Sequence, residues 1–447
     1  MDFANLIPQF GGALWTLLFF VVALSIIVAV HEYGHYIVGR WSGIKADIFS
    51  LGFGPVLWSR VDKRGTRWQI AALPFGGYVK FSGDANASGG VDEDAMSHMT
   101  AEDLRHTMHG APLWARTATV AAGPIFNFIM SIVIFTGIFM ARGTVTEPLT
   151  VGDLRPLPAA QQLEPGDVLL GIDGMALPSF DNPTQFEALL KTLPYQPLLG
   201  YTVERDGSET VVAGPHPYPP LVQQVVPRSA AYEAGIKAGD VITAIDGQDI
   251  YAFDQLKVAV EASEGRTLNL TIWRDGDTLD IPLTPRRTDE QRPDNTFETV
   301  YRIGIAGGLF FEPQTAPQSF VAAFTGAFAQ LGAIISGSLS GLWHMVTGAI
   351  STCNLNGPIG IAQTSGAMAS QGTSSFIWFI AVLSTAVGML NLFPIPVLDG
   401  GHLVFYAYEA VTRRPPSDMA LRVLMSIGLT LILGLMVLGT TSDLFCG

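Results

Sequence analysis

Ala13-Leu-Trp-Thr-Leu-Leu-Phe-Phe-Val-Val-Ala-Leu-Ser-Ile-Ile-Val-Ala-Val30 runs without a charge or a helix breaker straight into His31-Glu32-Tyr33-Gly34-His35. Crossing the hydrocarbon core of a bilayer takes roughly 20 apolar residues. The stretch therefore predicts a transmembrane helix whose last turns carry three ionisable side chains. Such groups are costly at membrane depth and mark functional positions. The flank Met1 to Gly12 holds no Lys or Arg, so it lacks the basic start of a signal peptide and the segment is expected to be retained.

The rest of the composition agrees with a membrane setting. Of 447 residues 48% are hydrophobic and only 14% charged, against about 25% in soluble proteins, and the mean hydropathy is +0.34. A net charge of -14, from 25 basic and 39 acidic residues with no long Lys/Arg run, excludes a nucleic-acid-binding footprint. Two distant cysteines, Cys353 and Cys446, build neither a disulfide framework nor a thiolate zinc site.

Two further segments, Thr117 to Ala141 and Met419 to Thr440, read as spans. A fourth, Phe376 to about Pro396, runs into Asn391, Pro394, Pro396 and Asp399. Its far end must be lined by protein rather than lipid. Basic residues gather between Gly39 and Arg116, and again at Arg413 and Arg414, which makes both loops cytoplasmic. Four crossings with both termini outside satisfy this arrangement, and the long middle region is then exterior. Under that topology a bridge between Cys353 and Cys446 is open, as are two free thiols. The first and third spans run the same way, so Glu32 and Asp399 approach the same face.

The middle region is duplicated. Leu163 to Gly174 (LEPGDVLLGIDG) aligns without gaps on Ile236 to Gly247 (IKAGDVITAIDG), and Thr202 to Gly207 (TVERDG) echoes Thr271 to Gly276 (TIWRDG). Asp-Gly between β-formers is hairpin chemistry. Each unit resembles the PDZ domains of bacterial proteases, one over 143–217 and one over 218–287. PDZ domains add a peptide as an extra strand; a pair of rigid spacers is the competing reading. Residues 288–318 read as a polar, Pro-rich linker, and 319–375 as helices lying on the outer membrane surface.

His31 and His35 stand one helical turn apart on one face and can grip a metal, with Glu32 beside it as general base. A catalytic zinc takes three protein ligands and leaves a position open. The metzincin extension would need glycine at 38 and histidine at 41, where the chain has Val38 and Trp41, so the third ligand comes from elsewhere. Asp399, in Asn391-Leu-Phe-Pro-Ile-Pro-Val-Leu-Asp399-Gly-Gly-His402, is the candidate: the prolines break the helix and Gly400 and Gly401 permit close approach. His402 is expected to support the site rather than ligate. His98, His106, His109, His216 and His344 are expected at solvent or the membrane surface.

These motifs together resemble the site-2 protease class of intramembrane zinc metalloproteases, peptidase family M50, and within it the bacterial RseP-type regulators of sigma-factor signalling. The resemblance covers nearly the whole chain: HEYGH, Gly123-Pro124-Ile-Phe-Asn127, the tandem repeats and NLFPIPVLDGG. Ala386 departs from some relatives, which carry asparagine there. The resemblance implies one zinc per chain on His31, His35 and Asp399, Glu32 as catalytic base, and Asn391, Pro394 and Pro396 placing substrate. It also implies a fold class: a polytopic α-helical membrane protein with four transmembrane helices, a membrane-dipping β-hairpin and two inserted β-rich PDZ domains. Leu51 to Pro55 and Leu73 to Phe81 look like that hairpin, whose Gly76, Gly77 and Tyr78 would meet an extended substrate. Asn127 is expected either to polarise the scissile carbonyl, to hold the substrate strand, or to bond two helices.

The expected activity is cleavage of single-span membrane proteins in the bacterial inner membrane: anti-sigma factors already trimmed outside, and remnant signal peptides. The active site would lie near the cytoplasmic side, with the PDZ pair and both termini periplasmic. The competing class is a catalytically silent membrane scaffold that binds partners through its PDZ modules. No G-x-S-x-G elbow supports a serine protease.

Overall fold

The structure is a computed structural model and describes residues 7–85, 90, 92–180, 182–292 and 296–445. The chain forms two compact units, one of Met1–Ile138, Phe320–Thr347 and Thr352–Gly447, the other of Phe139–Ser319 and Gly348–Ser351.

In the first unit the opening apolar stretch is part of a single helix, Ile7–Trp41, that carries HEYGH without a break. Leu113–Arg142 follows, with Pro124 inside it, then Phe320–Val346, Pro358–Ser370, Thr373–Asn391, Asp399–Thr412 and Asp418–Phe445. Among the described residues five helices, not four, are long and apolar enough to cross a membrane, the additional one being Phe320–Val346. That region was expected as surface helices because its small residues interrupt a clean apolar core. It is instead one helix of 27 residues, in which only Ala323, Ala327 and Leu331, four residues apart, are buried.

Leu424, Ile427, Leu431 and Leu435 of the last helix are exposed, a continuous apolar face that suits lipid and not water. Between helices, Ala23 and Ile27 pack with Phe376, Phe379 and Ile380. Ser384 Oγ donates to the Asn127 carbonyl at 2.9 Å and Ser131 Oγ to the Ala381 carbonyl at 2.9 Å, stitching Leu113–Arg142 to Thr373–Asn391 as polar residues do within bilayers.

Ala46–Val61 and Arg67–Phe81 make four short strands joined by three reversals rather than a single hairpin. Residues 48–51 pair with 77–80 on one side and 67–70 on the other, while 56–61 pair with 67–71. The order is 77–81, 46–51, 67–71, 56–61, which leaves Gly77–Phe81 as an edge strand. Phe53, Val56, Leu57, Trp58, Leu73 and Phe75 are exposed on this sheet.

The second unit bears the duplication out as geometry. Val168–Ile172, flanked by Met175–Ala176 and Leu199–Arg205, with Ser208–Gly214 outside, forms a four-stranded sheet; Val241–Ile245, Gln248–Asp249, Leu268–Arg274 and Asp277–Leu283 repeat its order. Asp206 and Gly207, like Asp275 and Gly276, take positive φ at the hairpin turns, the backbone a two-residue hairpin requires. Arg205 grips Asp167 through two bonds of 2.7 Å, and Arg274 grips Asp240 in the same way.

The stretch read as a linker, 288–318, is not one. Arg286–Gln291 and Phe297–Arg302 form a hairpin, Ile305–Ala306 pairs with Gln224–Val225, Phe311–Pro313 with Val151–Leu154, and Thr315–Ala316 with Thr144–Val145. The last three strands find their partners far away in sequence, and pieces of two or three residues carry no local alternation to betray them. Cys353 takes part in a disulfide, and the other cysteine, Cys446, lies outside the described residues.

Candidate metal centre

Three donor atoms from two distant segments converge. His31 Nε2 lies 3.2 Å from Asp399 Oδ2, His35 Nε2 lies 3.5 Å from the same oxygen, and the two Nε2 atoms are 3.2 Å apart. This trio is the cluster of metal-ligating side chains found among the described residues. The one-turn spacing of the histidines brings both rings to one face of Ile7–Trp41, edge to face with centroids 4.7 Å apart. Asp399 opens helix Asp399–Thr412, where unpaired amides favour a carboxylate. The turn that delivers it is tight: a β-carbon at Gly400 would strike the carbonyls of Leu392 and Phe393, and one at Gly401 the Ile395 carbonyl.

The second long helix completes the wall. His35 Nδ1–H donates to the Thr119 carbonyl at 2.8 Å, which leaves the Nε2 lone pair facing the cluster. Gly123 lies one turn on, and a β-carbon there would collide with both imidazoles. One turn further, the Asn127 amide lies 3.2 Å from His31 Nδ1. Thr119, Gly123 and Asn127 thus form one stripe, four residues apart, laid against His35 and His31.

The donor set fits zinc. Two imidazoles and a carboxylate with an open side are the ligand types of catalytic zinc sites. Asp399 Oδ2 is buried with no hydrogen-bond donor, which a bound cation would satisfy. A cavity of about 350 Å³ opens onto the cluster, lined by His31, Glu32, His35, Asn391 and Asp399 together with Gly77, Tyr78 and Val79 of the edge strand. Glu32 and Val79 line the same cavity, so the strand edge and the expected base share one wall of it. Phe81 N–H is taken by Asp84 at 2.9 Å.

Of the expected substrate contacts, Asn391, Gly77 and Tyr78 line this cavity, whereas Gly76, Pro394, Pro396 and Asn127 are not among its lining residues. Pro394 and Pro396 shape the turn before Asp399, and Gly76 packs under Phe53. His402 lines the cavity outside the three-atom cluster. Two other histidines are misjudged from sequence. His109, expected at a surface, lines the cavity and pairs with buried Asp84 at 3.1 Å. His216 is 3% exposed, and burial pushes its imidazole below the ordinary range. Neither Asp84 nor His109 sits in a motif, and only the fold brings them to the cavity.

Several apolar helices carrying an HExxH pair and a distant aspartate onto one point define a multi-pass membrane metalloprotease. The chain belongs to peptidase family M50, whose profile matches residues 19–435. It is 37% identical to a protein of Agrobacterium fabrum provisionally named a zinc metalloprotease, over 95% of this chain and 94% of that one. It is 32% identical to the regulator of sigma-E protease RseP of Escherichia coli and 32% identical to that of Salmonella typhimurium, in each case over 96% of this chain and 98% of the relative. The chain is accordingly a zinc-dependent metalloprotease of the site-2, RseP type.

Proposed function

We propose that this chain cuts single-span membrane proteins within the bilayer of the bacterial inner membrane, with zinc held by His31, His35 and Asp399. The observation that carries the reading is the meeting of three donor atoms from residues some 370 positions apart, each within 3.5 Å of another. Bound there, zinc supplies the positive charge that acidifies water and polarises a carbonyl. Glu32, which lines the cavity beside the cluster, takes a proton from the attacking water and delivers it to the departing amine nitrogen.

A helical substrate hides its carbonyls in its own hydrogen bonds, so it must be drawn out as a strand. The edge Gly77–Phe81 is the template for that pairing. Alternation along a strand directs Gly77 N–H the same way as Val79 N–H, and both residues line the cavity with Glu32. Tyr78, Gly76, Asn391, Pro394 and Pro396 shape the slot, Asn391 from the cavity wall. The tandem PDZ-like modules screen substrates outside the membrane. Anti-sigma factors fit the printed name of the RseP relatives, and remnant signal peptides fit the same slot.

Chain direction supports four crossings. Asp399 follows the end of Thr373–Asn391 and meets His31 and His35 near the end of Ile7–Trp41, so these two helices run in the same sense. Leu113–Arg142 returns between them. The segment from 143 to 372 must then begin and end on one side, and Phe320–Val346, the one helix within it capable of crossing, cannot do so alone. It lies along the membrane on the periplasmic side, with both termini and the PDZ-like pair. A disulfide at Cys353 suits that oxidising compartment.

The test is a comparison of purified variants. Glu32→Gln is expected to lose cleavage by at least a thousand-fold while keeping one zinc; His31→Ala and Asp399→Ala lose both. A Glu32→Gln protein that still cleaves would remove the mechanism. The competing reading, a silent scaffold, predicts no cleavage by the natural chain and no zinc on these residues.

A further inference from the structure

We infer that Asn127 is a positioning residue for the metal: its side-chain carbonyl accepts the Nδ1–H of His31 and thereby holds the Nε2 lone pair toward the ion. This rests on the proposed ligation by His31.

The two imidazoles pose the same chemical problem. A neutral ring has one protonated nitrogen and one lone pair, and only the lone pair ligates. His35 solves it by donating Nδ1–H to the Thr119 carbonyl at 2.8 Å, the usual second bond of a metal-bound histidine. His31 needs an acceptor at its own Nδ1, and the group standing there is the Asn127 side-chain amide, 3.2 Å away.

As oriented, the amide nitrogen faces His31 Nδ1, while Asn127 Oδ1 is buried without a partner. A donor at Nδ1 would force the ring proton onto Nε2, directly into the cluster with His35 Nε2 and Asp399 Oδ2, and no ligand atom would remain on His31. A half-turn about the last side-chain bond exchanges nitrogen and oxygen, two atoms of similar size that pack alike. That single exchange gives Oδ1 its partner and His31 its acceptor, and frees Nε2. One rotation thus removes both anomalies.

The surroundings hold this side chain against His31. Asn127 is completely buried. Its backbone carbonyl accepts from Ser384 Oγ at 2.9 Å, and Gly388 lets the helix Thr373–Asn391 close to van der Waals distance of its Cβ. The motif Gly123-Pro124-Ile-Phe-Asn127 then reads as one device: Gly123 makes room for the rings, and Asn127, one turn on, orients the nearer one. Asn127 is also not among the residues lining the cavity, which separates it from a substrate contact.

The experiment compares the purified full chain with Asn127→Leu, Asn127→Asp and His31→Ala. It measures zinc affinity by chelator competition with elemental analysis, and separately kcat and KM on a model single-span substrate. Asn127→Leu, similar in volume and without an acceptor, is expected to bind zinc about 10- to 100-fold more weakly, with KM unchanged once zinc is saturating. Asn127→Asp keeps an acceptor at the same place and is expected to retain most of the affinity. Should the leucine variant fail to fold, Asn127→Thr, smaller and too short to reach the ring, carries the same expectation. Asn127→Leu with natural zinc affinity and a raised KM would overturn the inference and return Asn127 to substrate binding. If His31→Ala loses zinc while Asn127→Leu keeps it, the inference alone fails. If His31→Ala binds zinc as the natural chain does, the ligand assignment fails and takes the inference with it.

Discussion

The smallest decisive feature of this centre is an absent atom. A β-carbon at Gly123 would overlap the rings of His35 and His31, so Gly123→Ala must push imidazoles or helix aside. Overpacking of this kind costs about 1–3 kcal/mol, and if the strain falls on the ligands, zinc affinity is expected to drop by about tenfold or more, read by the same chelator competition. Residues whose chemistry is carried by type and spacing, His31, Glu32 and His35, were legible before any fold was known. Asp399 was legible because prolines and glycines around a carboxylate make sense only near a cavity. Asp84 and His109 were not, since a contact between two loops has no period and no composition.

At the level of elements, the edge strand is where base and substrate are proposed to meet. A β-carbon at Gly77 would lie 2.8 Å from the Ser50 carbonyl, 2.9 Å from Val28 and 3.2 Å from Glu32 Cγ. Gly77→Ala is therefore expected to keep zinc and lose cleavage by displacing Glu32 and the strand together; unchanged kcat/KM would argue against pairing at this edge. In the second unit the duplicated Arg–Asp clasps hold the start of each sheet. Asp240 is buried and also accepts Lys237 N–H at 2.8 Å, so Asp240→Asn is expected to destabilise the unit by about 1.5–3 kcal/mol, seen as a lower calorimetric transition of the full chain. The repeats were legible because their hairpin turns and the Gly-Asp pair are local. The strands within 286–316 were not, because the stretch has the polar, Pro-rich composition of a linker and its last three strands pair with partners outside their own neighbourhood.

For the whole molecule, the four crossings proposed above rest on the parallel sense of the two helices that meet at the site. If Phe320–Val346 lies on the periplasmic face, cysteines introduced at Ser319 and Ser351, in a chain whose Cys353 and Cys446 are replaced by serine, should both react with a membrane-impermeant maleimide in spheroplasts. Labelling of only one would mean that this helix crosses, and that the parallel sense inferred for the first helix and Thr373–Asn391 is wrong.

By itself the sequence determined that this chain lives in a bilayer, that it carries an HExxH pair at the end of an apolar helix, and that its middle region is a duplicated β module. Hydrophobic length, helical spacing and turn chemistry are properties of contiguous residues, so they can be read along the chain. Only the tertiary structure decided which atoms of His31, His35 and Asp399 point at one another, that the GPIFN stripe backs both imidazoles, and that the apparent linker closes the sheets. These depend on contacts between segments hundreds of residues apart, where side-chain direction and helix-to-helix distance set the outcome, and no local pattern records either.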